Sequence, residues 1–273
     1  MKFTHIDIHS HLNLSDFDTD RDEVIANMKE QGIATITVGV DFATSEKAVE
    51  LAEQHENLFA CIGLHPCDNH TEVFDMEKYE ALAQHSKVVA IGETGLDYFR
   101  ITNEELRIRN ELSVVQKQKE IFKQHIELAI RTNKPLMIHA RPSKGTMDAY
   151  EDTLDLLESY TLDTERLPQV CNFHFFVGDV AIAERIVKNG WTMSFDGPIT
   201  FSTDYDEVIK SISIGHIMAE TDSPFAAPAP YRGKRCEPLY VTEIYKKIAE
   251  LKEMDIEECR ELVNENVQRI FKI

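Results

Sequence analysis

The chain has few cysteines and no apolar run long enough to cross a bilayer. Its five cysteines are scattered, and no two of them form a Cys-x-x-Cys pair. The sequence therefore predicts neither a disulfide framework nor a cysteine-type zinc site, and it is typical of a reducing compartment. No stretch approaches the roughly 18 apolar residues of a membrane span, and the first residues lack the apolar core of a secretion signal. We expect a cytoplasmic protein without a membrane partner.

Basic residues are also scarce. The 273 residues include 29 Lys and Arg against 48 Asp and Glu, a formal net charge of −19. This balance argues against binding nucleic acid over the whole surface, because phosphate binding needs clustered basic side chains. A polyanion would have to meet a local basic patch. The glycine-rich nucleotide-binding fingerprint, the phosphate-loop lysine and the Gly-x-Ser-x-Gly elbow are absent as well.

Short apolar runs alternate with amphipathic stretches along the chain, and hydrophobic residues make up 42% of it. Runs rich in Ile, Val and Phe predict buried parallel strands at 3–8, 35–40, 58–63, 88–92, 135–139, 169–174, 191–195 and 216–220. The intervening patterns predict helices, among them 20–31 and 103–132, with Thr44 or Ser45 capping one and Asp179 another. The alternation predicts an α/β fold, a single-domain (β/α)8 TIM barrel over residues 1–273. A doubly wound open sheet is the alternative.

The first predicted strand ends in a cluster of polar side chains, Asp7, His9 and His11. Residues two apart in an extended segment point to the same side. The two imidazoles can therefore bind one metal ion together. A His-x-His pair on a strand is an ordinary packed or solvated pair about as often as it is a metal site. The interpretation of this pair therefore depends on the other candidate ligands.

Further histidines and carboxylates stand at the ends of other predicted strands: His65, Glu93, His139, His174 and Asp222. In a barrel, these positions converge on the mouth formed by the carboxyl ends of the strands. Even without His65, four imidazoles with two carboxylates exceed what one ion needs. They predict two divalent cations about 3.5–4 Å apart, one carboxylate bridging them. Each residue alone fits a helix cap or a buried polar group, but that interpretation does not explain their coincidence at strand ends.

Six motifs carry a resemblance to a known family: Asp7-x-His9-x-His11, Gly63-x-His65-Pro66, Gly92-Glu93-Thr94-Gly95-Leu96-Asp97-Tyr98, Ile138-His139-x-Arg141, His174-x-Phe176-x-Gly178 and Glu220-Thr221-Asp222-Ser223-Pro224. In this order they resemble the TatD family of metal-dependent deoxyribonucleases, within the amidohydrolase-like barrel superfamily. The resemblance runs from residue 4 to residue 271.

The resemblance implies a role for each matching residue. His9, His11 and Asp222 would hold the first metal ion. Glu93 would bridge, and His139 and His174 would complete the second site. The implied reaction is hydrolysis of DNA phosphodiester bonds by a water activated between two metal ions, as a 3′→5′ exonuclease on single-stranded DNA or 3′ ends. Asp222 is the candidate general base. The ions stay open among Mg, Mn, Zn, Co and Ni.

Substrate contacts are expected from four residues. The segment 223–236 contains no acidic residue and supplies Arg232 and Arg235, the local basic patch that the overall charge requires. His65 is placed on a phosphate or near the metal ions, and Arg141 within reach of the scissile phosphate. The alternatives are a loop histidine, a salt bridge at the barrel rim, and a solvated proline-rich loop.

Supporting roles are predicted for several other side chains. Asp7 would orient an imidazole and Asp97 would support Glu93. Phe225 and Tyr231 can stack on bases or pack their loop down. The histidines His55, His85 and His125 lie in polar helical patterns and are predicted to be solvated.

Two other functions stay open. One is hydrolysis of a small-molecule ester, lactone or amide on the same barrel, because one fold hosts many chemistries. The other is a metal-binding scaffold without catalysis. The basic segment favours DNA over a small molecule, and the complete set of candidate ligands disfavours the scaffold. The sequence specifies neither oligomeric state nor cleavage polarity.

Overall fold

A computed structural model describes residues 3–67, 72–101, 111–164 and 170–273. Eight parallel strands pair in chain order, β1 to β8. They are β1 His5–Ser10, β2 Ile33–Val38, β3 Leu58–Ile62, β4 Val88–Asp97, β5 Leu136–Arg141, β6 Cys171–Phe173, β7 Thr192–Phe195 and β8 Ile217–Ala219. With helices between them, they confirm the predicted (β/α)8 barrel and exclude the open sheet.

Backbone hydrogen bonds between β1 and the segment after β8 bring the ends of the sheet together. The Asp222 N–H donates to the His9 carbonyl at 2.9 Å, and the His11 N–H donates to the Ser223 carbonyl at 2.7 Å. Ser10 and Ser223 form a parallel bridge at the same place. Candidate ligands from the two ends of the chain are therefore held beside each other by the backbone.

The helices in the described part of the chain are α1 Arg21–Glu30, α2 Phe42–Gln54, α3 Met76–Ala83, α4 Glu111–Thr132, α5 Asp148–Thr164, α6 Val180–Lys188, α7 Asp206–Ser211, α8 Val241–Lys252 and α9 Ile256–Phe271. None of them is both long and apolar enough to span a membrane. The start of the helix predicted over 103–132 lies outside the described residues.

Two predicted helix caps have different outcomes. Asp179 caps α6 as predicted, because its side chain accepts a hydrogen bond from the Ile182 N–H. Thr44 or Ser45 was predicted to cap α2, and this was wrong, because the N-cap of α2 is Asp41. Thr44 is the third residue of that helix and completes a reciprocal capping box, in which its hydroxyl accepts from the Asp41 N–H at 3.0 Å.

Strand β4 is longer than predicted, so Glu93 lies within it rather than after it. Two glycines make this possible, because they let β4 approach β5 closely. A Cβ on Gly92 would lie 2.3 Å from the Met137 carbonyl oxygen, and one on Gly95 would lie 2.1 Å from that of His139. Both glycines also have positive φ, at 154° and 141°. The approach places Glu93 next to the residues of β5.

Candidate metal centre

His9 and His11 face the carboxylates of Glu93 and Asp222 at the mouth of the barrel. The Nε2 atoms of the two histidines are 3.2 Å apart. Glu93 Oε2 lies 3.5 Å from His9 Nε2 and 3.8 Å from His11 Nε2. Asp222 Oδ1 lies 3.8 Å and 3.4 Å from the same two atoms. All four side chains are almost fully buried, so their donor atoms converge on one enclosed point.

The tautomer of His11 shows that this set fits a cation. His11 Nδ1 lies 2.9 Å from the Val38 carbonyl oxygen. A carbonyl only accepts, so Nδ1 carries a proton, and Nε2 faces the cluster. Without a cation, burial would lower the pKa of His11, but the hydrogen bond to Asp222 and its charge raise it; a metal ion would take the place of the proton on Nε2. His9, His11 and Glu93 each offer one atom, all within 4.8 Å of one another. Imidazole nitrogen and carboxylate oxygen together suit zinc, manganese, cobalt or nickel.

The other oxygen of Glu93 faces a second group of imidazoles. Glu93 Oε1 lies 2.8 Å from His139 Nδ1 and 2.7 Å from His174 Nε2. The carboxylate thus turns one oxygen toward His9 and His11 and the other toward His139 and His174. A carboxylate that bridged two ions would present its two oxygens in this way, and the bridging role of Glu93 stays a prediction.

Asp97 orients the second group. Its Oδ2 lies 3.1 Å from His139 Nε2, so the carboxylate accepts a hydrogen bond from the Nε2–H, and Nδ1 faces Glu93. Burial alone would raise the pKa of Asp97, but the hydrogen bond and charge of His139 outweigh it and lower that pKa to about 2. Asp97 was predicted to support Glu93, and that partner was wrong. Strand β4 continues past Glu93 to Asp97, whose carboxylate contacts His139 instead.

Asp7 also differs from its prediction. Its carboxylate accepts hydrogen bonds from the Thr221 N–H at 2.9 Å, the Thr221 hydroxyl at 2.7 Å and the His9 backbone N–H at 3.2 Å. It contacts no imidazole in these bonds. Asp7 instead fixes the junction of β1 with the segment after β8, and so holds the backbone from which His9 and Asp222 project.

Glu220 is a functional candidate that the sequence interpretation missed. This fully buried carboxylate accepts a hydrogen bond from the Ser194 hydroxyl at 2.7 Å and another from the Phe175 N–H. Its Oε1 lies 3.6 Å from His174 Nδ1, on the side of the ring away from Glu93. Phe175 has a φ of 45°, a region that non-glycine residues rarely adopt. The signal that could have found Glu220 is its place at the start of the Glu220-Thr221-Asp222 motif.

The carboxylates set the charge of the cluster. Burial would raise the pKa of Glu93, but the charges of His174 and His65 hold it well below its usual value. Burial would also raise the pKa of Asp222, which the hydrogen bond from His11 and the charge of His9 lower instead. Burial and the charge of His174 lower the pKa of His9. The same carboxylates raise the pKa values of His11 and His174 against the effect of burial, so the cluster as a whole favours bound positive charge.

His65 lies beside the ligands but is oriented differently. Its Nδ1 accepts a hydrogen bond from the Cys67 N–H at 3.1 Å, so the proton of the neutral ring is on Nε2. That Nε2 lies 3.4 Å from Glu93 Oε1. An N–H at this position can donate to a carboxylate or to a phosphate. His65 also forms, with Glu93 and His139, a group whose ligand atoms lie within 4.8 Å of one another.

A cleft of about 700 Å³ opens above the cluster. Its lining includes Glu93, Asp222, His65 and Arg141. The Arg141 guanidinium lies over the ring of Phe99, 4.1 Å from its centroid. The lining also includes Arg100, Leu14, Val40, His139, Ala140, His174, Phe175, Val177, Pro198, Tyr205, Phe225 and Ala226. Arg100 was not predicted, although it lies two residues past the end of the Gly92–Tyr98 motif.

The two arginines of segment 223–236 do not line the cleft. Arg235 pairs with Asp20 at 2.6 Å and with Glu237 at 3.2 Å. Arg232 is exposed and lies over the ring of Phe201, 3.8 Å from its centroid. The structure thus separates Arg235 from the cleft, and the predicted role of both as substrate contacts stays a prediction.

Two aromatic rings of the same segment have different environments. Tyr231 stacks on Tyr240 with centroids 3.8 Å apart, so it packs the segment down. Phe225 is 52% exposed, and its ring centroid lies 6.1 Å from that of His11. Of the two, Phe225 therefore keeps surface that a ligand can contact.

One predicted surface histidine is buried. His125 is fully enclosed on α4, whereas His55 and His85 are partly exposed. Its ring lies 4.2 Å from that of Phe74. The prediction of a solvated His125 was wrong, because the polar helical pattern did not reveal which face packs on the barrel.

The fold and the cluster together define a class of protein: a parallel (β/α)8 barrel with a histidine–carboxylate centre, suited to metal ions, at the carboxyl ends of its strands. The chain belongs to the TatD related DNase family, whose model matches residues 6–272. It is 39% identical over 272 residues to the uncharacterized metal-dependent hydrolase YabD of Bacillus subtilis, with 98% of both chains covered.

Two further proteins with the TatD name are similar to the chain. The chain is 32% identical over 276 residues to an uncharacterized metal-dependent hydrolase, TatD, of Mycobacterium tuberculosis, with 97% of each covered. The crystal structure of YjjV, a TatD homolog from Escherichia coli K12, matches with a TM-score of 0.87 over the full length of both chains. Its sequence identity is 22%, so this likeness concerns the fold.

Proposed function

We propose that the protein is a metal-dependent nuclease that hydrolyses phosphodiester bonds of single-stranded DNA, proceeding from the 3′ end. The observation that carries the proposal is the position of Glu93, whose two oxygens face two different groups of imidazoles. Two divalent ions held there would acidify a water molecule and stabilise charge on phosphoryl oxygens. Membership of a family named for DNase activity supports DNA as the substrate.

The side chains around the cleft have complementary tasks in this reaction. Asp222 is ionised, lines the cleft and is 12% exposed at its side chain, so it can accept a proton from the attacking water. His65 can donate its Nε2–H to a phosphate oxygen. Arg141 lies at the edge of the same cleft and can contact the phosphate with its guanidinium.

The test is hydrolysis of end-labelled single-stranded DNA by metal-stripped protein after adding back Mg²⁺, Mn²⁺, Zn²⁺, Co²⁺ or Ni²⁺. We expect a metal-dependent ladder from 5′-labelled DNA and early release of the label from 3′-labelled DNA. Asp222→Asn should remove both, because the proton acceptor is lost. Hydrolysis by metal-stripped protein without added metal, or by the Asp222 variant at the wild-type rate, would refute the proposal.

Hydrolysis of a small ester or lactone is the second candidate. A cleft of about 700 Å³ falls in the size range of small-molecule pockets. Metal-dependent turnover of such a compound by protein that leaves DNA intact would favour this function instead.

A further inference from the structure

Exposed phenylalanines are concentrated at the mouth of the barrel. Among the described residues, Phe99, Phe201 and Phe225 are 50%, 42% and 52% exposed. Two further large apolar side chains, Val73 and Ile256, complete the exposed set. Isolated exposed apolar residues are ordinary, but several of them near one cleft are typical of a ligand-binding or interaction surface.

An arginine guanidinium lies over each of two of these rings. The Arg141 guanidinium carbon lies 4.1 Å from the ring centroid of Phe99, at the ends of β5 and β4. The Arg232 guanidinium carbon lies 3.8 Å from that of Phe201, in the segments after β8 and β7. We call Phe99–Arg141 and Phe201–Arg232 the stacking pairs. Their strands are three positions apart in an eight-stranded barrel, so the two pairs belong to different sectors of the barrel mouth.

Charge distinguishes the stacking pairs from a third arginine that also lies over a phenylalanine. Arg235 lies 4.5 Å from the ring centroid of Phe17, and carboxylates of Asp20 and Glu237 neutralise it. For Arg141 and Arg232, the described residues provide no carboxylate within ion-pair distance. In a chain with 48 acidic residues against 29 basic ones, two such guanidinium groups beside one cleft favour an anionic ligand.

The segments that carry the second pair are tied to each other. The Ala229 N–H donates to the Thr200 hydroxyl at 2.8 Å, one residue before Phe201. Pro198 and Ala226, from the same two segments, line the cleft. The second pair is therefore carried by two connected segments that border the cleft, although neither of its side chains lines the cleft.

We propose that the stacking pairs bind the nucleotides on the two sides of the scissile phosphodiester bond of single-stranded DNA. One pair would hold the terminal nucleotide and the other the strand that leads to it. Every base has an apolar face that can stack on an aromatic ring or on a planar guanidinium, and the guanidinium can also contact a phosphate. The inference rests on the proposed nuclease function and adds to it the residues that recognise flanking nucleotides.

The test compares two substrates of the metal-loaded protein. One is a single-stranded oligonucleotide, and the other is bis(4-nitrophenyl) phosphate, a diester without nucleotides. In Phe99→Ala and in Phe201→Ala, the ratio of kcat/KM for the oligonucleotide to kcat/KM for the small diester should fall by about 5- to 150-fold, the effect of losing one stacked base. In Arg232→Gln, the salt dependence of oligonucleotide binding should weaken by a slope of about one.

Matched controls lie at the other end of the barrel. Helix α9 is anchored there, because the Arg260 side chain donates to the Thr4 carbonyl just before β1. Ile256→Ala removes an exposed apolar side chain from this helix, and Lys246→Gln removes an exposed charge from α8. Neither should change the ratio.

The outcomes separate this inference from the function on which it rests. If the wild-type protein hydrolyses the small diester but no DNA, the proposed nuclease function is refuted, and with it the proposal that the stacking pairs bind nucleotides. If the wild-type protein hydrolyses DNA and both phenylalanine variants keep the wild-type ratio, only the stacking pairs are refuted. A fall in both variants with intact thermal unfolding supports the inference.

Discussion

His174 and His125 are both buried imidazoles, but they have opposite charge preferences. His125 on α4 donates from Nδ1 to the Ile121 carbonyl at 2.8 Å and accepts at Nε2 from the Leu64 N–H at 3.0 Å. Burial lowers its pKa to about 4. Burial would also lower the pKa of His174, but the charges and hydrogen bonds of Glu93 and Glu220 raise it well above its usual value.

The difference shows what carboxylates do to a buried histidine. A ring whose partners are backbone groups is a neutral structural element. A ring between two carboxylates lies in a negatively charged site, and bound protons or metal ions stabilise such a site. Changing the carboxylates or the neutral histidine therefore tests whether the two regions differ for this reason.

Removing the shared carboxylate should have the largest effect. Glu93→Ala takes away the group that faces both sets of imidazoles, so metal-dependent hydrolysis should fall by more than the roughly 100-fold that loss of a group behind the ligands can cause. Initial rates at saturating metal measure this change. Glu158→Gln, on the outer helix α5 beside Arg185, is the matched control and should keep wild-type rates. Full activity in a folded Glu93 variant would refute the bridging role.

Removing the neutral histidine should change the pH dependence of stability. The pKa of His125 is about 4 in the folded chain against 6.5 for the ordinary group, so the unfolded chain binds more protons between these values. Stability from this site is therefore present above pH 6.5 and is lost as pH falls, by about 3 kcal/mol at pH 4. Below pH 4 both states are protonated and the loss stops growing.

The measurement for this site is the free energy of unfolding in denaturant, for the wild-type protein and His125→Gln, at several values of pH. The difference between the two should shrink by about 3 kcal/mol as pH falls from 6.5 to 4. A difference that stays constant over this range would show that His125 is not held neutral by burial.

Removing the carboxylate behind His174 should have a smaller effect. Glu220→Gln keeps the size of the side chain but removes the charge 3.6 Å from His174 Nδ1. Metal affinity should fall by about 10- to 100-fold, the range for a group that orients a ligand. Calorimetric titration of metal-stripped protein measures the affinity, and Glu158→Gln again serves as the control. Wild-type affinity in the Glu220 variant would remove this carboxylate from the metal centre.

The fold and most of the candidate ligands could be predicted because both depend on local patterns. Apolar runs locate the strands, and a parallel barrel brings every strand end to one mouth, so His9, Glu93 and Asp222 are found without knowledge of contacts. Partners across the fold were not predictable in this way. Asp20, which pairs with Arg235, lies 215 residues from it in the sequence. No local pattern indicates that pairing.

The same limit explains the errors at the centre. The sequence placed Asp97 beside Glu93, but two glycines let β4 approach β5, and the carboxylate contacts His139 instead. Glu220 was missed because spacing alone does not tell which carboxylate lies behind a ring. His125 was misplaced because its burial depends on contacts with Leu64 and Phe74, which come from other elements.

The most direct test of the bridging role of Glu93 is the number of metal ions that the chain binds. Metal-stripped wild-type protein and Glu93→Ala would be dialysed against Mn²⁺ or Zn²⁺ near neutral pH, and bound metal would be measured per chain. Because Glu93 turns one oxygen to each group of imidazoles, we expect two ions in the wild-type protein and loss of both from high-affinity sites in the variant. A single ion in the wild-type protein, or two retained in the variant, would contradict it.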